Sequence, residues 1–481
     1  MLFNSGVFLL CFLPVTVAGF FLLARIGHAL ALAWLAAASL FFYAWWNPPL
    51  VLLLLASIVF NFLVARIVVA ARHGGREAAA SRWMYAGVAG DLLLLGYFKY
   101  ANFFLGIVAA SSGAHHVARD IVLPLGISFF TFTQIAYLVD AARGRVGEPS
   151  PLRYLLFVTF FPHLIAGPLY HHAQVMPQFA RAETFRPDAR NLHAGLVYLA
   201  IGLFKKTIVA DGLAPDADAF FNAEAHGIAY TPASAWIGLF AYGLQLYFDF
   251  SGYSDMAVGL ARMLNVRLPI NFFSPYRAAS MIEFWRRWHM TLSAFLRDYL
   301  YVPLGGNRRG EPRRYVNLLV TMVLGGLWHG AAWTFVAWGA LHGAFLAVNH
   351  AWRRVMGRAE GASTPLGRLA GMALTFTCVM LAWALFRAVD LPTAGRIYAD
   401  LVGARGGHGL LPISAVHGVI AAGLLLLLPN ATQHVESLFD EARAGPRVPA
   451  WLAGGAVGFM AFLGLRAIAR ADASPFLYFN F

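Results

Sequence analysis

The sequence predicts an all-α, polytopic integral membrane protein, and three observations support this fold class. Only 12% of the 481 residues are charged, whereas about 25% is usual in soluble domains. Hydrophobic residues make up 59% of the chain, and the mean hydropathy is +0.63. The apolar residues also form long runs, many of them near the roughly 20 residues that a membrane helix needs. No polar stretch is long enough to separate soluble domains, so we predict a single transmembrane domain over residues 1–481.

The apolar runs predict about 11–13 membrane segments, because two of the runs are long enough to hold a pair of helices. The first run follows no positively charged segment and no small-residue cleavage site, so we expect it to be retained as a helix rather than removed as a signal peptide. The runs cover residues 3–24, 28–46, 49–71, 83–110, 119–142, 151–170, 191–210, 230–262, 316–350, 366–388, 412–430 and 448–468.

One run is interrupted by residues that a plain lipid-facing helix avoids. The run 151–170 contains Pro162, His163, Gly167 and Pro168. This density of proline and glycine predicts a broken or re-entrant element, which needs protein or water around its freed backbone groups.

The charge pattern predicts membrane topology rather than nucleic-acid binding. The chain has a formal net charge of +13, but its arginines lie in short loops between apolar runs, as in the loop 66–82. Under the positive-inside rule these loops are cytoplasmic and the N-terminus is outside. No basic stripe on a soluble module is present, so we expect the lipid bilayer and no nucleic acid as a partner.

The stretch from Gly243 to Gly343 carries most of the candidate chemistry. His329 lies inside an apolar run, and an ionisable group at such a place is a functional-site hypothesis because burial in lipid is costly. The alternative is that His329 only bonds a neighbouring helix. His289 belongs to residues 281–300, whose spacing predicts one amphipathic helix. That helix either rests on the inner leaflet or aims His289 into a pore.

Two further sets of polar residues leave alternatives open. Asp249, Tyr253 and Asp255 form either the wall of a polar tunnel or a packing network between helices. Arg308 and Arg309, beside a pair of glycines, suit phosphate because guanidinium groups donate in pairs, but they also fit ordinary cytoplasmic loop charge. Neither a GxSxG elbow nor an HExxH zinc motif occurs in the sequence.

Several sequence blocks together resemble one known family. In order along the chain they read FFPHLIAGPL, QLYFDFSGYSDMAVGLARML, FWRRWHMTLSAFLRDYLYVPLGGNR and GGLWHGAAWTFVAWGALHG. These blocks, with the opening FNSGVFLLCFLP and the terminal FLYFNF, resemble the membrane-bound O-acyltransferase superfamily, and most closely its bacterial alginate O-acetyltransferase branch. The resemblance extends over essentially the whole chain.

The resemblance implies an all-helical fold around a central tunnel, with a catalytic core at about residues 90–350. It implies that His329 is the catalytic histidine and that His289 is the second functional histidine. It further implies an acyl donor on the cytoplasmic side, commonly acetyl-CoA, a hydroxyl acceptor, and a periplasmic esterase-like acetyltransferase as partner. The location implied is the bacterial inner membrane.

From these observations we predict an O-acetyltransferase that helps to acetylate an exported polysaccharide such as alginate. His329 is expected to act as general base or to orient the hydroxyl, with His289 assisting. Asp249, Tyr253, Asp255 and Trp328 are expected to line the tunnel. No bound cofactor and no metal are expected, since a thioester is already activated. The donor's phosphates are assigned to Arg286, Arg287, Arg308 and Arg309.

Three other functions fit part of this sequence. A transporter or flippase would explain the broken helices and buried ionisable groups, but it predicts inverted repeats that the sequence lacks. A scaffold that only recruits a periplasmic enzyme predicts that both histidines tolerate alanine. Within the acyltransferases, D-alanyl transfer to teichoic acid is the alternative.

Overall fold

The computed structural model describes residues 1–113, 121–357, 364–439, 450–470 and 474–477. These residues form helices and loops without a β-strand, so the all-α prediction is confirmed. The α-helices are α1 Leu13–Ala24, α2 His28–Ala44, α3 Pro49–His73, α4 Glu77–Leu95, α5 Ala101–Ser112, α6 Ile127–Ala142, α7 Pro151–Thr159, α8 Phe161–Leu164, α9 His172–Val175, α10 Ala189–Phe204, α11 Asp211–Ala225, α12 Pro232–Met263, α13 Met281–Trp285, α14 Met290–Leu296, α15 Glu311–His329, α16 Trp333–Val355, α17 Pro365–Arg387, α18 Leu391–Leu401, α19 Ile413–Leu425, α20 Ala431–Phe439 and α21 Ala450–Arg470.

Short segments of other helix types join several of these elements. Some of these segments are π-helical, with hydrogen bonds from residue i to residue i+5, and π-helical turns often occur at functional sites. The π-helical segments are Phe8–Phe12, Gly96–Tyr100, Lys205–Ala210 and Arg297–Tyr301, and the 3-10 segments are Met176–Ala180, Ala182–Phe185 and Pro275–Arg277.

Five helical stretches in the described part of the chain are long and apolar enough to cross a membrane, and four shorter helices are also apolar. The longer α12 and α16 also have the length, but their polar and aromatic side chains lower their mean hydropathy. The polytopic prediction is confirmed, whereas the count of 11–13 segments stays a prediction. The five stretches are Pro49–His73, Glu77–Ser112, Ala189–Ala225, Pro365–Arg387 and Trp451–Arg470.

The chain forms two compact units, each built from several separate stretches. The first comprises Met1–Ala200, Tyr253–Pro269 and Ile468–Pro475. Within it α3, α4 and α6 pack together, and the buried Asn61 amide donates to the carboxylate of Asp91 over 2.7 Å. This bond joins α3 to α4. It is favoured because a buried polar group without a hydrogen-bond partner costs free energy.

The predicted broken element belongs to this first unit. Helix α7 ends at Thr159, and Phe160 has a non-helical backbone before the single turn of α8. Pro162 is accepted in α8 because the first turn of a helix lacks hydrogen-bond acceptors for its N–H groups. The prediction of a break is confirmed, and its re-entrant character stays a prediction.

The second unit comprises Ile201–Gly252, Ile270–Ala467 and Phe476–Phe481. The predicted apolar run 316–350 is divided here into α15 and α16, which are antiparallel neighbours joined by residues 330–332. Gly326 and Gly339 let the two backbones approach closely, since a β-carbon at Gly339 would collide with the carbonyl oxygen of Met322.

The prediction of one continuous amphipathic helix over 281–300 is wrong. Helix α13 ends at Trp285, and α14 starts only at Met290. Between them His289 has φ 42° and ψ 52°, the left-handed conformation, which no residue inside a right-handed helix adopts. A repeat of side-chain polarity cannot reveal such a break, because the reversal depends on tertiary contacts of the backbone.

Candidate active site

The two predicted histidines lie together in the second unit. The centroids of the His289 and His329 rings are 6.5 Å apart, and the residues are 1% and 5% exposed. His329 is the last residue of α15, and His289 is the residue before α14. Two imidazoles at this distance can act on one small group placed between or beside them.

The backbone of His289 is held from two sides. Its carbonyl accepts the Ser293 N–H over 2.9 Å, which begins α14, and the next N–H, of Met290, donates to the Asn271 carbonyl over 2.9 Å. A non-glycine residue in the left-handed region costs free energy and persists only when its surroundings hold it. Such residues concentrate at functional sites, and His289 fits that pattern.

The side chain of Asn271 sets the orientation of the His289 ring. Its Oδ1 atom lies 3.0 Å from His289 Nδ1, 3.0 Å from the Thr291 hydroxyl and 3.4 Å from the Thr291 backbone nitrogen. A backbone N–H can only donate, so the amide atom at this place is the oxygen, and Nδ1 of His289 carries a proton. In the neutral ring Nε2 is then the proton acceptor, and this buried atom has no hydrogen-bond partner among the residues that the structure describes.

Aromatic rings surround both histidines and exclude water from them. Trp328 lies 4.9 Å from the His329 ring and 6.0 Å from the His289 ring, between centroids. Trp338 and Phe386 each lie 5.1 Å from His329. In such apolar surroundings the interactions of any developing charge are stronger than in water.

His329 also lies at the C-terminal end of a helix of 19 residues. The unsatisfied carbonyl groups of a helix C-terminus carry partial negative charge. An imidazolium formed on His329 is therefore stabilised there, by roughly 0.3–2 kcal/mol. This geometry suits a histidine that must accept a proton.

A third buried histidine in this unit was missed by the sequence reasoning. His342 on α16 is fully buried, and its ring centroid is 4.7 Å from that of Trp338. The Trp338 ring therefore contacts both His342 and His329. The only signal in the sequence was another histidine in the same apolar stretch, 13 residues (342 − 329) after His329. Asn271 was missed as well, because an asparagine in a loop carries no signal of its own.

Asp249 has charged and backbone partners inside the second unit. Its carboxylate accepts from Lys206 Nζ over 2.7 Å and from the Leu477 N–H over 3.0 Å, and both members of the ion pair are 2% exposed. These contacts match the packing-network alternative for Asp249, and the tunnel role stays a prediction. Sequence analysis could not pair residues 43 positions apart.

The other predicted tunnel residues are divided between the units. Trp328 is in the second unit with the histidines. Tyr253 and Asp255 lie in the first unit, on the C-terminal part of α12, where the Tyr253 ring stacks on Phe3 at 4.8 Å. A tunnel role for these residues stays a prediction.

The four arginines assigned to the donor occupy different environments. Arg286 and Arg287 lie at the break after α13, and Arg287 pairs with Glu283 over 2.6 Å. Arg308 and Arg309 are exposed in the turn before α15. Arg287 lines a cavity together with Arg277 and Arg368, neither of which sequence reasoning selected.

The described residues include no group of three or more His, Cys, Asp or Glu side chains placed to hold a metal ion. The groups that the structure brings together at the candidate site are two imidazoles, an orienting amide and an aromatic enclosure.

An all-α membrane protein with a buried histidine pair is the class that fold and site define. The chain belongs to the membrane-bound O-acyltransferase (MBOAT) family, whose sequence profile matches residues 110–382. That match includes His289, His329 and Asn271. The protein is therefore a multi-pass membrane O-acyltransferase.

The chain is also similar in sequence to individual proteins of this family. The chain is 39% identical to the peptidoglycan O-acetyltransferase of Helicobacter pylori over 84% of this chain and 80% of the relative. It is 44% identical to the probable alginate O-acetylase AlgI of Azotobacter vinelandii over 83% and 78% of the two chains. A more distant relative, the teichoic acid D-alanyltransferase of Streptococcus thermophilus, is 28% identical over 54% and 68%.

Proposed function

We propose that this chain takes an acetyl group from acetyl-CoA at the cytoplasmic side of the inner membrane and passes it across for O-acetylation of an exported polysaccharide such as alginate. The observation that carries the proposal is the pair of buried histidines, 6.5 Å apart, in a chain of this family. The names of the relatives support an acetyl group over D-alanine, because the O-acetyltransferases match at higher identity and over more of the chain. Family membership also favours chemistry over the transporter alternative.

In the proposed reaction a hydroxyl oxygen attacks the carbonyl carbon of the thioester. His329 takes the hydroxyl proton as the C–O bond forms, and the C–S bond then breaks. The departing thiolate takes up a proton, so the imidazolium returns to its neutral form and the atoms balance. General-base assistance of this kind typically contributes about 10²–10⁴-fold to the rate.

His289 is the second imidazole of the proposed pair. Asn271 fixes its Nδ1–H tautomer, so Nε2 presents a lone pair inside the aromatic enclosure. From that position it holds the acceptor hydroxyl or exchanges a proton with the reacting groups. Burial of donor, acceptor and base together supplies orientation and keeps water from hydrolysing the donor.

A second protein, in the periplasm, completes the proposed reaction. A periplasmic esterase-like acetyltransferase would accept the acetyl group and complete its transfer to the polysaccharide. The proposed tunnel residues remain Asp249, Tyr253, Asp255 and Trp328. The proposed contacts of the donor remain Arg286, Arg287, Arg308 and Arg309.

The test is acyl transfer from radiolabelled acetyl-CoA by the purified full chain in vesicles. The His329→Gln and His289→Gln variants keep the side-chain size but cannot accept a proton at neutral pH. We expect each to lose at least about 100-fold in transfer rate. His226→Gln is the matched control, because His226 is an exposed residue at the end of α11 and should transfer at the wild-type rate.

The results of this assay distinguish the roles of the two histidines and identify the acceptor polymer. Wild-type transfer by both site variants, with normal folding, would falsify the assignment of the chemistry to this pair. A much larger loss in one variant identifies that histidine as the base. Supplying alginate oligomers or peptidoglycan fragments with periplasmic extract then shows which polymer receives the label.

A further inference from the structure

A cavity of about 230 Å³ in the second unit is lined by three arginines, and no carboxylate is among the described residues that line it. The arginines come from three places in the chain: Arg277 from the loop before α13, Arg287 from the break after α13, and Arg368 from the first turn of α17. Phe273, Ser274, Met372 and Gln433 complete the lining. The cavity therefore collects positive charge from distant segments.

Among the described residues, two of these three arginines have no carboxylate partner. In the described part of the chain neither Arg277 nor Arg368 forms an ion pair, and both side chains are exposed. Arg287 does form an ion pair, with Glu283 over 2.6 Å. Its guanidinium also lies over the Phe273 ring, 5.9 Å from the ring centroid. Counting the three lining arginines and the one carboxylate paired with them in the described part of the chain, the formal charge is +2 (3 − 1). Such a site attracts an anion.

The size of the cavity limits the anion. Pockets that hold drug-sized molecules have volumes of roughly 300–1,000 Å³. At about 230 Å³ the cavity suits a phosphate group with a few attached atoms rather than a whole nucleotide. Guanidinium groups match phosphate because each donates two parallel hydrogen bonds to its oxygens.

The cavity is joined to the candidate active site through two short segments. In the first, Asn271 orients His289 and Phe273 lines the cavity. In the second, Arg287 lines the cavity two residues before His289. The Phe273 N–H donates to the Arg287 carbonyl over 3.0 Å and ties the segments together. Two residues of chain extend at most about 7 Å, so the backbone positions of Arg287 and His289 are close neighbours.

A second, smaller cavity continues from the first. It shares Ser274 and Arg277 with the arginine-lined cavity and reaches Tyr247 on α12. The Tyr247 ring lies 6.0 Å from that of Phe272, which is 6.4 Å from His289. Its volume of about 40 Å³ has room for only a few water molecules. Side chains along it must move before an acyl-bearing arm can pass.

We propose that Arg277, Arg287 and Arg368 bind a phosphate group, and that this phosphate belongs to the acyl donor. The anion site itself follows from the cavity, whereas its assignment to the donor rests on the proposed function. The same chemistry is present in the headgroup of an anionic lipid, which is the other possible source. Arg277 and Arg368 then join Arg287 at this phosphate, in addition to the donor contacts proposed above.

The experiment measures binding, so it does not depend on turnover. The purified full chain is titrated with inorganic pyrophosphate and with coenzyme A by calorimetry. Removing one arginine that contacts phosphate should weaken binding by about tenfold or more. We expect this for Arg277→Ala and Arg368→Ala. Arg277→Lys should recover part of the affinity, because it restores the charge but not the paired donors.

Arg82→Ala is the matched control. Arg82 is an exposed arginine of the first unit, so its loss changes the net charge equally without touching the cavity. Wild-type affinity for pyrophosphate in both cavity variants, or an equal loss in Arg82→Ala, overturns the site. Wild-type melting temperatures in the variants show that the fold is retained.

The source of the phosphate is decided by two arms. A loss of coenzyme A binding in the cavity variants supports the donor assignment. Unchanged coenzyme A binding, with weaker binding of phosphatidylglycerol in nanodiscs, assigns the anion site to lipid and overturns the donor assignment. Failure of the proposed function would appear separately, as an absence of acyl transfer in the wild type that nevertheless binds the anion.

Discussion

At the scale of single residues, the conformation of His289 is the most informative feature of the molecule. A left-handed histidine is stabilised by one asparagine that uses both its backbone and side-chain carbonyl groups. The same asparagine selects the ring tautomer. Orientation of a catalytic imidazole by a third group is a recurring arrangement in enzymes that activate nucleophiles.

Replacing Asn271 tests this arrangement. We expect Asn271→Ala to lower the rate of acyl transfer by about tenfold or more, because His289 loses the acceptor that fixes its tautomer and ring orientation. Asn271→Asp keeps the acceptor. It should move the pH profile of kcat to higher pH, because a carboxylate stabilises the imidazolium form. Steady-state kinetics across pH measure both effects.

A structural role alone would give a different result. In that case Asn271→Ala would lower the melting temperature, and Asn271→Asp would leave the pH profile unchanged. His342→Gln is a useful comparison, since His342 lies in the same aromatic cluster and contacts the Trp338 ring that also contacts His329.

At the scale of elements, the close packing of α15 against α16 sets the position of His329. The break between the two helices occurs directly after this histidine, and Trp338 on α16 packs against its ring. Glycines at the contact allow the backbones to approach, which side chains at those positions would prevent.

Gly339→Ala should therefore destabilise the protein and lower its activity together. A single methyl group at this position meets the Met322 backbone, and overpacking of this kind typically costs about 1–3 kcal/mol. Gly454→Ala is the control, because a β-carbon there has no neighbour within 4 Å. Thermal unfolding in detergent compares the two variants. If Gly339→Ala melts with Gly454→Ala and the wild type, the close approach is not required.

At the scale of the whole molecule, the buried pair Lys206–Asp249 joins three separate segments of the second unit. Lys206 lies in the π-helical segment after α10, Asp249 in α12, and Leu477 near the end of the chain donates to the same carboxylate. A second carboxylate, Asp211, accepts from Lys206 over 2.9 Å. A buried charge needs such partners, since removal of one partner leaves the other uncompensated.

We expect Lys206→Met to cost about 3–5 kcal/mol of unfolding free energy, because it leaves Asp249 buried without a cation. The double variant Lys206→Met/Asp249→Asn should lose less than the sum of the single variants, since it removes both buried charges. A double-mutant cycle, measured by denaturant titration in micelles, gives the coupling energy. Additive losses would show that the pair is not coupled.

The sequence by itself determined the class of the fold and the identity of the two main candidate residues. Apolar composition and run length require helices in a membrane, because only structures with satisfied backbone groups cross a bilayer. A histidine inside an apolar run stands out for the same reason, so His329 could be selected from the sequence alone. The broken element at Pro162 was also visible, because proline and glycine act locally.

Only the tertiary structure decided how these residues are arranged. Four features depend on contacts between segments that are distant in sequence. They are the left-handed backbone at His289, its hydrogen bonds with Asn271, the position of His342, and the cavity lined by Arg277 and Arg368. Hydrophobic periodicity reports which face of a helix is buried, but it does not report which other segment covers that face. Pairing is set by packing and by the partners that buried polar groups require, and both are properties of the folded chain.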